Sequence, residues 1–118
     1  MFPDLLLYLI PSVGIFMVVA YMAYAGWARK LKRNAIFGIR TRSTTRSDDA
    51  WEAAHVAAAP YSMSAAISIL LGGLIAAFGQ SENEMSLIFG AGLAIGLIQV
   101  AYAIKVANRS ATDAFETA

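Results

Sequence analysis

Long uncharged apolar stretches alternate with short polar segments along this chain. Leu5 to Trp27 carries no charge, and at about 1.5 Å per residue a helix of that length covers roughly 35 Å, enough to cross a hydrocarbon core with some tilt. Val56 to Ser81 and Met85 to Ile104 are the other uncharged runs, joined by Gln80-Ser81-Glu82-Asn83-Glu84. The pattern predicts an all-α integral membrane protein with three transmembrane helices, over about 5–27, 56–79 and 86–104. The last two form a tight antiparallel hairpin, and a polar loop over 28–55 separates them from the first.

Composition narrows this further. In 118 residues that are 58% apolar there is no room for a separate soluble core, so residues 1–118 are expected to form a single membrane domain. Ala23-Tyr24-Ala25 before Gly26 imitates a signal-peptide cleavage site. However, the stretch is too long, Asp4 stands where a basic n-region would be, and the basic cluster follows the apolar run; these features describe a retained anchor.

Charge sets the expected orientation. Arg29, Lys30, Lys32, Arg33, Arg40, Arg42 and Arg46 lie between the first two runs, and Lys105 and Arg109 follow the third. The other side has only the acids Asp4, Glu82 and Glu84. Since loops rich in Lys and Arg stay in the cytoplasm, the amino terminus is expected outside and the central loop and tail inside a bacterial cytoplasmic (inner) membrane. The basic loop should also favour anionic lipid headgroups. The tail from Val106 to Ala118 is polar and is expected to fray.

Within the spans, association must come from close packing of small residues and from interhelical hydrogen bonds, because lipid is as apolar as Leu. Ser64, Ser68, Gly72 and Ala76 recur at four-residue spacing on the second span, and Gly92 and Gly96 do so on the third. These stripes read as the seam of the hairpin, with homodimerisation as the competing use. Gln99 should turn inward, since an amide facing lipid lacks partners. Pro11 predicts a kink near Leu7 to Pro11. Tyr21, Tyr24 and Trp27, with Tyr61 and Tyr102 at matching depth, read as an aromatic belt.

The chemistry is concentrated in Lys32-Arg33-Asn34-Ala35-Ile36-Phe37-Gly38-Ile39-Arg40-Thr41, followed by Thr44, Asp48, Trp51 and His55. Ser47 can cap a helix whose first turn holds Asp48 and Asp49, acids that suit the positive end of its dipole. Asp48, Trp51 and His55 then share one helical face, and Glu52 can also reach His55. Gly38 suggests a close backbone approach or a positive φ before Arg40. One reading of this cluster is a recognition site at the cytoplasmic face, with Arg40 engaging a carboxylate or phosphate and His55 sensing protonation. The plainer reading pairs Arg40 with Asp48 to fold the loop, anchors Trp51 at the headgroups, and bonds His55 to Asp48, Glu52 or a loop carbonyl.

These residues resemble the SdpI family of bacterial membrane proteins, in which an Asn, a Gly-Ile-Arg-Thr string, a Thr, a Trp and a His recur across a cytoplasmic loop. The matching positions are Asn34, Gly38, Ile39, Arg40, Thr41, Thr44, Trp51 and His55, with nine residues between Thr41 and Trp51 as in the family pattern. The resemblance covers roughly Lys32 to the end of the third span. Where the family often has Pro-Trp after the string, Arg42 and Ser43 stand here, so a partner contact made at that point would differ. The resemblance implies immunity to a secreted peptide toxin, or signal transduction in which a cytoplasmic regulator is held at the membrane.

Other classes fit less well. Catalysis lacks a nucleophile motif, so no enzyme is expected. With no cysteine and one histidine the chain offers no disulfide, thiol chemistry or zinc set, and no metal or cofactor is expected. No nucleic-acid partner is expected for a loop held against a membrane. A small proton-coupled transporter would need an ionisable group within a span, which none has. The expected partners are membrane lipids and another membrane protein or a second copy, with a peptide toxin or cytoplasmic regulator on the resemblance. An accessory subunit of a larger membrane complex is the alternative from a different class.

Overall fold

Each uncharged run becomes a helix because, without water, a spanning segment must satisfy its own backbone groups. The computed structural model describes residues 2–117; Met1 and Ala118, and the side chains of residues 2–4 including Asp4, lie outside the described part. Helix α1 spans Phe2–Trp27, α2 Asp48–Ala76 and α3 Glu82–Thr117, and no strand occurs among the described residues. All three are long and apolar enough to cross a membrane.

Local signals set the helix ends. Ser47 caps α2 from an extended backbone, its side chain accepting from the Ala50 amide, and Asp48 and Asp49 occupy the first turn. Ser81 accepts from the Glu84 amide at 3.1 Å and opens α3 directly after the short turn. Helix α1 runs unbroken through Pro11.

The tail departs from expectation. Far from fraying, the chain beyond the third span continues α3 to Thr117, and the 36 residues of this helix account for most of the 55 Å long dimension of the molecule. Ala103, Ala107 and Ala111 pack with Ala50, Ala54 and Ala58 of α2 in a fully buried cluster, and Ile39 of the loop packs against it. Alanine at every fourth position on both helices lets the backbones approach, and that contact holds the tail helical despite its polar composition.

Helix α2 is central and packs on both neighbours. Toward α3 the seam is built from the small residues: a Cβ added to Gly72 would lie 2.9 Å from the Gly92 Cα, and one on Gly92 would lie 3.2 Å from the Ser68 carbonyl oxygen. Gly96 receives Ile69, and Ala76 is buried near the turn. Ser64 and Ser68 are half-buried, and the Ser64 hydroxyl bonds back to the Tyr61 carbonyl at 2.9 Å. Gly72, Gly92 and Gly96 therefore lie at the close approach of the two hairpin helices within one chain. Gln99 does turn inward, and its Oε1 is buried without a partner among the described residues.

Toward α1 the neighbouring glycine does the work. A Cβ on Gly73 would overlap the Ser12 side chain, and Ser12 is completely buried, its hydroxyl donating to the Tyr8 carbonyl at 2.7 Å. Adjacent residues on a helix point about 100° apart, so Gly72 and Gly73 let two different helices approach. Helices α1 and α3 meet near the turn, where the Tyr8 and Phe89 rings lie 5.3 Å apart and the Tyr8 and Ser86 hydroxyls 3.0 Å apart. The remaining surface of α1 is apolar and uncovered, with Leu7, Ile10 and Met17 well exposed, as a lipid-facing helix requires. Tyr21, Tyr24 and Trp27 are exposed near its end, and Tyr61 and Tyr102 form an edge-on pair 4.9 Å apart.

Candidate functional site

The loop begins where α1 stops. Arg29 takes a left-handed backbone, φ 60°, while its amide reaches the Gly26 carbonyl and the Lys30 amide reaches that of Ala25. This hydrogen-bond pair satisfies the last carbonyls of the helix and reverses the chain, at a cost of about 1 kcal/mol for placing a non-glycine residue there.

Asn34 organises the next segment. Its side-chain oxygen accepts from the amides of Ile36 and Phe37 at 2.8 and 2.6 Å, and its amide donates to the Lys32 carbonyl at 2.8 Å. Asn can do this because one short side chain carries both donor and acceptor. The result is a tight bend that leaves Ile36 and Phe37 pointing outward, 78% and 47% exposed.

Thr41 and Thr44 form the second knot. Each threonine hydroxyl accepts the other's amide, at 2.9 and 3.2 Å, while the Thr44 hydroxyl donates to the Ile39 carbonyl at 2.6 Å. Thr44 is wholly buried, and Thr41 donates to the Asn108 side chain on α3 at 2.5 Å. The loop is thereby tied to the very tail segment expected to be loose.

Trp51 and His55 hold the centre, one helical turn apart on α2, with ring centroids 4.2 Å from each other. Trp51 is 2% exposed and its indole N–H donates to the Leu31 carbonyl at 2.8 Å. His55 is also buried: Nδ1 donates to the Trp51 carbonyl at 2.7 Å and Nε2 accepts the Ile39 amide at 2.8 Å. Both bonds are satisfied at once only by the neutral imidazole with its proton on Nδ1. Gly38 lies over the two rings with φ 102°, and an added Cβ would stand 2.8 Å from Nε2 and 2.9 Å from the indole. Gly38 is thus required both for its backbone conformation and for its lack of a side chain.

Three expected contacts are replaced by others. Asp48 does not pair with Arg40; its partner is Arg33, at 3.3 Å, across an exposed surface. Arg40 instead donates from Nε to the Asn34 carbonyl at 2.9 Å. The Trp51 ring is buried within the protein, because the loop folds over it and supplies an acceptor. His55 bonds to neither acid and to no loop carbonyl: it takes a loop amide, and Glu52 pairs with Arg29 at 2.7 Å. A carboxylate on this exposed helix face gains more from a solvated arginine than from a buried ring already bonded at both nitrogens.

The structure adds roles that sequence reading did not assign. Gly26 abuts His55, where its own Cβ would come within 2.9 Å of the His55 Cβ. Asn108 anchors Thr41, and Arg33 bridges Asp48 and the Thr45 carbonyl. A glycine next to the end of a span was the available sign for the first; the other two depend on contacts between distant segments.

His55 also separates two recesses. On the outer side, a polar depression of about 530 Å³ is lined by charged residues that include Arg29, Arg33, Asp48 and Glu52. On the inner side, a largely apolar cavity of about 300 Å³ lies between the three helices beneath Gly38 to Thr41.

No curated protein and no solved structure matches this chain. A family model described as the SdpI/YfhL protein family matches residues 30–103, which include the loop from Lys30 onward, α2 and most of the apolar part of α3. With its three helices able to cross a membrane, the eight motif positions gathered around Trp51 and His55, and well over half of its length within that match, the chain belongs to the SdpI/YfhL protein family.

Proposed function

We propose that this protein is an SdpI-like binding protein of the bacterial cytoplasmic membrane, oriented with the basic loop inside, which serves toxin immunity or signal transduction through the tip of that loop. One observation carries this reading. Asn34, Gly38, Thr41, Thr44, Trp51 and His55 are committed to folding the loop, while Ile36 and Phe37 are held outward in a basic surround. Two large apolar side chains displayed on a hydrogen-bonded bend favour contact with a protein partner, and a preformed bend lowers the entropy cost of binding. The motif is then the scaffold, and the tip is what a cytoplasmic regulator or toxin-associated protein meets.

Deleting the gene should sensitise cells to a secreted peptide made by the same or a neighbouring strain. The double substitution Ile36→Ala and Phe37→Ala should reproduce that sensitivity at normal protein abundance. Unaltered sensitivity of the deletion to every such peptide counts against immunity. Recovery from mild detergent in fixed ratio with a large enzyme would make the protein an accessory subunit instead.

A further inference from the structure

Helices α1 and α3 touch near the turn through Tyr8, Ser86 and Phe89, yet near the loop the cavity separates them. Val19 and Met22 form one wall and Val100 and Ile104 the other, with Ala58 and Ala59 of α2 as the floor. The segments that contribute these walls are the membrane-spanning ones, so an apolar chain, and not water, is the natural occupant.

The roof supplies a charge. Arg40 lines the cavity, is exposed, and is the only charged residue of the lining among the described residues, none of which brings an acid to the space. Its Nε is fixed by the Asn34 carbonyl at 2.9 Å, which orients the guanidinium while leaving its terminal nitrogens without a carboxylate among the described residues. Arg29 and Arg33, by contrast, each have an acidic partner. His55 also borders the cavity but has both ring nitrogens engaged, so it offers no competing polar contact.

An apolar slot opening among membrane helices, with one arginine and no acid among its described lining residues, matches a molecule with a hydrocarbon chain and an anionic head. We propose that this cavity binds one anionic phospholipid from the leaflet on the loop side, with an acyl chain between α1 and α3 and its phosphate at Arg40. The site is distinct from the Ile36 and Phe37 tip and does not depend on which compartment the loop faces. Such a lipid would complete the contact between α1 and the hairpin.

The test uses the purified full-length protein in neutral detergent, titrated with phosphatidylglycerol or phosphatidylcholine and read by native mass spectrometry. The wild type should retain phosphatidylglycerol roughly fivefold better than phosphatidylcholine. Arg40→Gln should remove that preference, whereas Arg42→Gln, exposed and outside the cavity, should keep it. Val100→Phe, which fills the space without altering charge, should lower retention of both lipids, and it decides the matter if Arg40→Gln does not fold. Equal retention of the two lipids by the wild type, equal effects of Arg40→Gln and Arg42→Gln, or full retention by Val100→Phe would each overturn the proposal.

Discussion

The backbone N–H of Ile39 donates to Nε2 of His55 at 2.8 Å, so the loop hangs on α2 through a nitrogen that accepts only while it carries no proton. Replacing His55 with Ala removes that acceptor, leaves the Ile39 amide unpaired in a partly buried place, and should cost about 1–3 kcal/mol. Hydrogen exchange at the Ile39 amide should accelerate in His55→Ala. Protection equal to the wild type would show that the bond does not restrain the loop.

Gly38→Ala acts on the same cluster from above. The substitution puts a methyl group against the His55 and Trp51 rings on a backbone with φ 102°. The strain alone is worth about 1–3 kcal/mol. Trypsin should then cut faster at Arg40 and Arg42, while an equally slow digest would mean that the loop accommodates a side chain.

Two glycines of α3 make a matched comparison for the hairpin. Gly92→Leu must push against the Gly72 Cα, whereas a Cβ at Gly90 meets nothing within 4 Å. Overpacking of this kind costs about 1–3 kcal/mol, and an open surface position changes little. Thermal unfolding in detergent should separate Gly92→Leu from Gly90→Leu, and similar losses in both would argue against the Gly72–Gly92 contact.

Truncation after Val106 tests whether the tail belongs to the fold. It removes Ala107 and Ala111 from the buried cluster and Asn108 from Thr41. The shortened protein should melt lower and expose its loop to protease, even though no residue of the loop has changed. An unchanged melting temperature would make the tail dispensable.

Orientation is directly measurable because the chain has no cysteine. Single cysteines at Arg42 and Glu84 should react with an impermeant thiol reagent from opposite sides, the second in intact cells and the first only after permeabilisation. Labelling of the Arg42 position from outside would reverse the orientation.

The loop motif was recognisable as a set, and its internal geometry was partly legible. Ser47 as a cap and Gly38 as a positive-φ position follow from local backbone chemistry, and both are observed. The partners of Asp48, Trp51 and His55 were not legible, because each depends on which loop atom arrives overhead once the chain has closed. Spacing shows that Trp51 and His55 share a face; it does not show that the Leu31 carbonyl and the Ile39 amide will meet them.

The amino-acid sequence alone determined the number of spanning helices, the one-sided distribution of basic charge and the small residues of the hairpin seam. These are properties of single segments: a span satisfies its own backbone bonds, and its residues partition into a membrane by their own hydropathy. Tertiary structure alone decided that Trp51 is buried, that Arg33 takes Asp48 while Arg40 is left over a cavity, and that a polar tail is helical. In each of these the outcome depends on a second segment brought alongside, whose approach covers one face and supplies or withholds a hydrogen-bond partner.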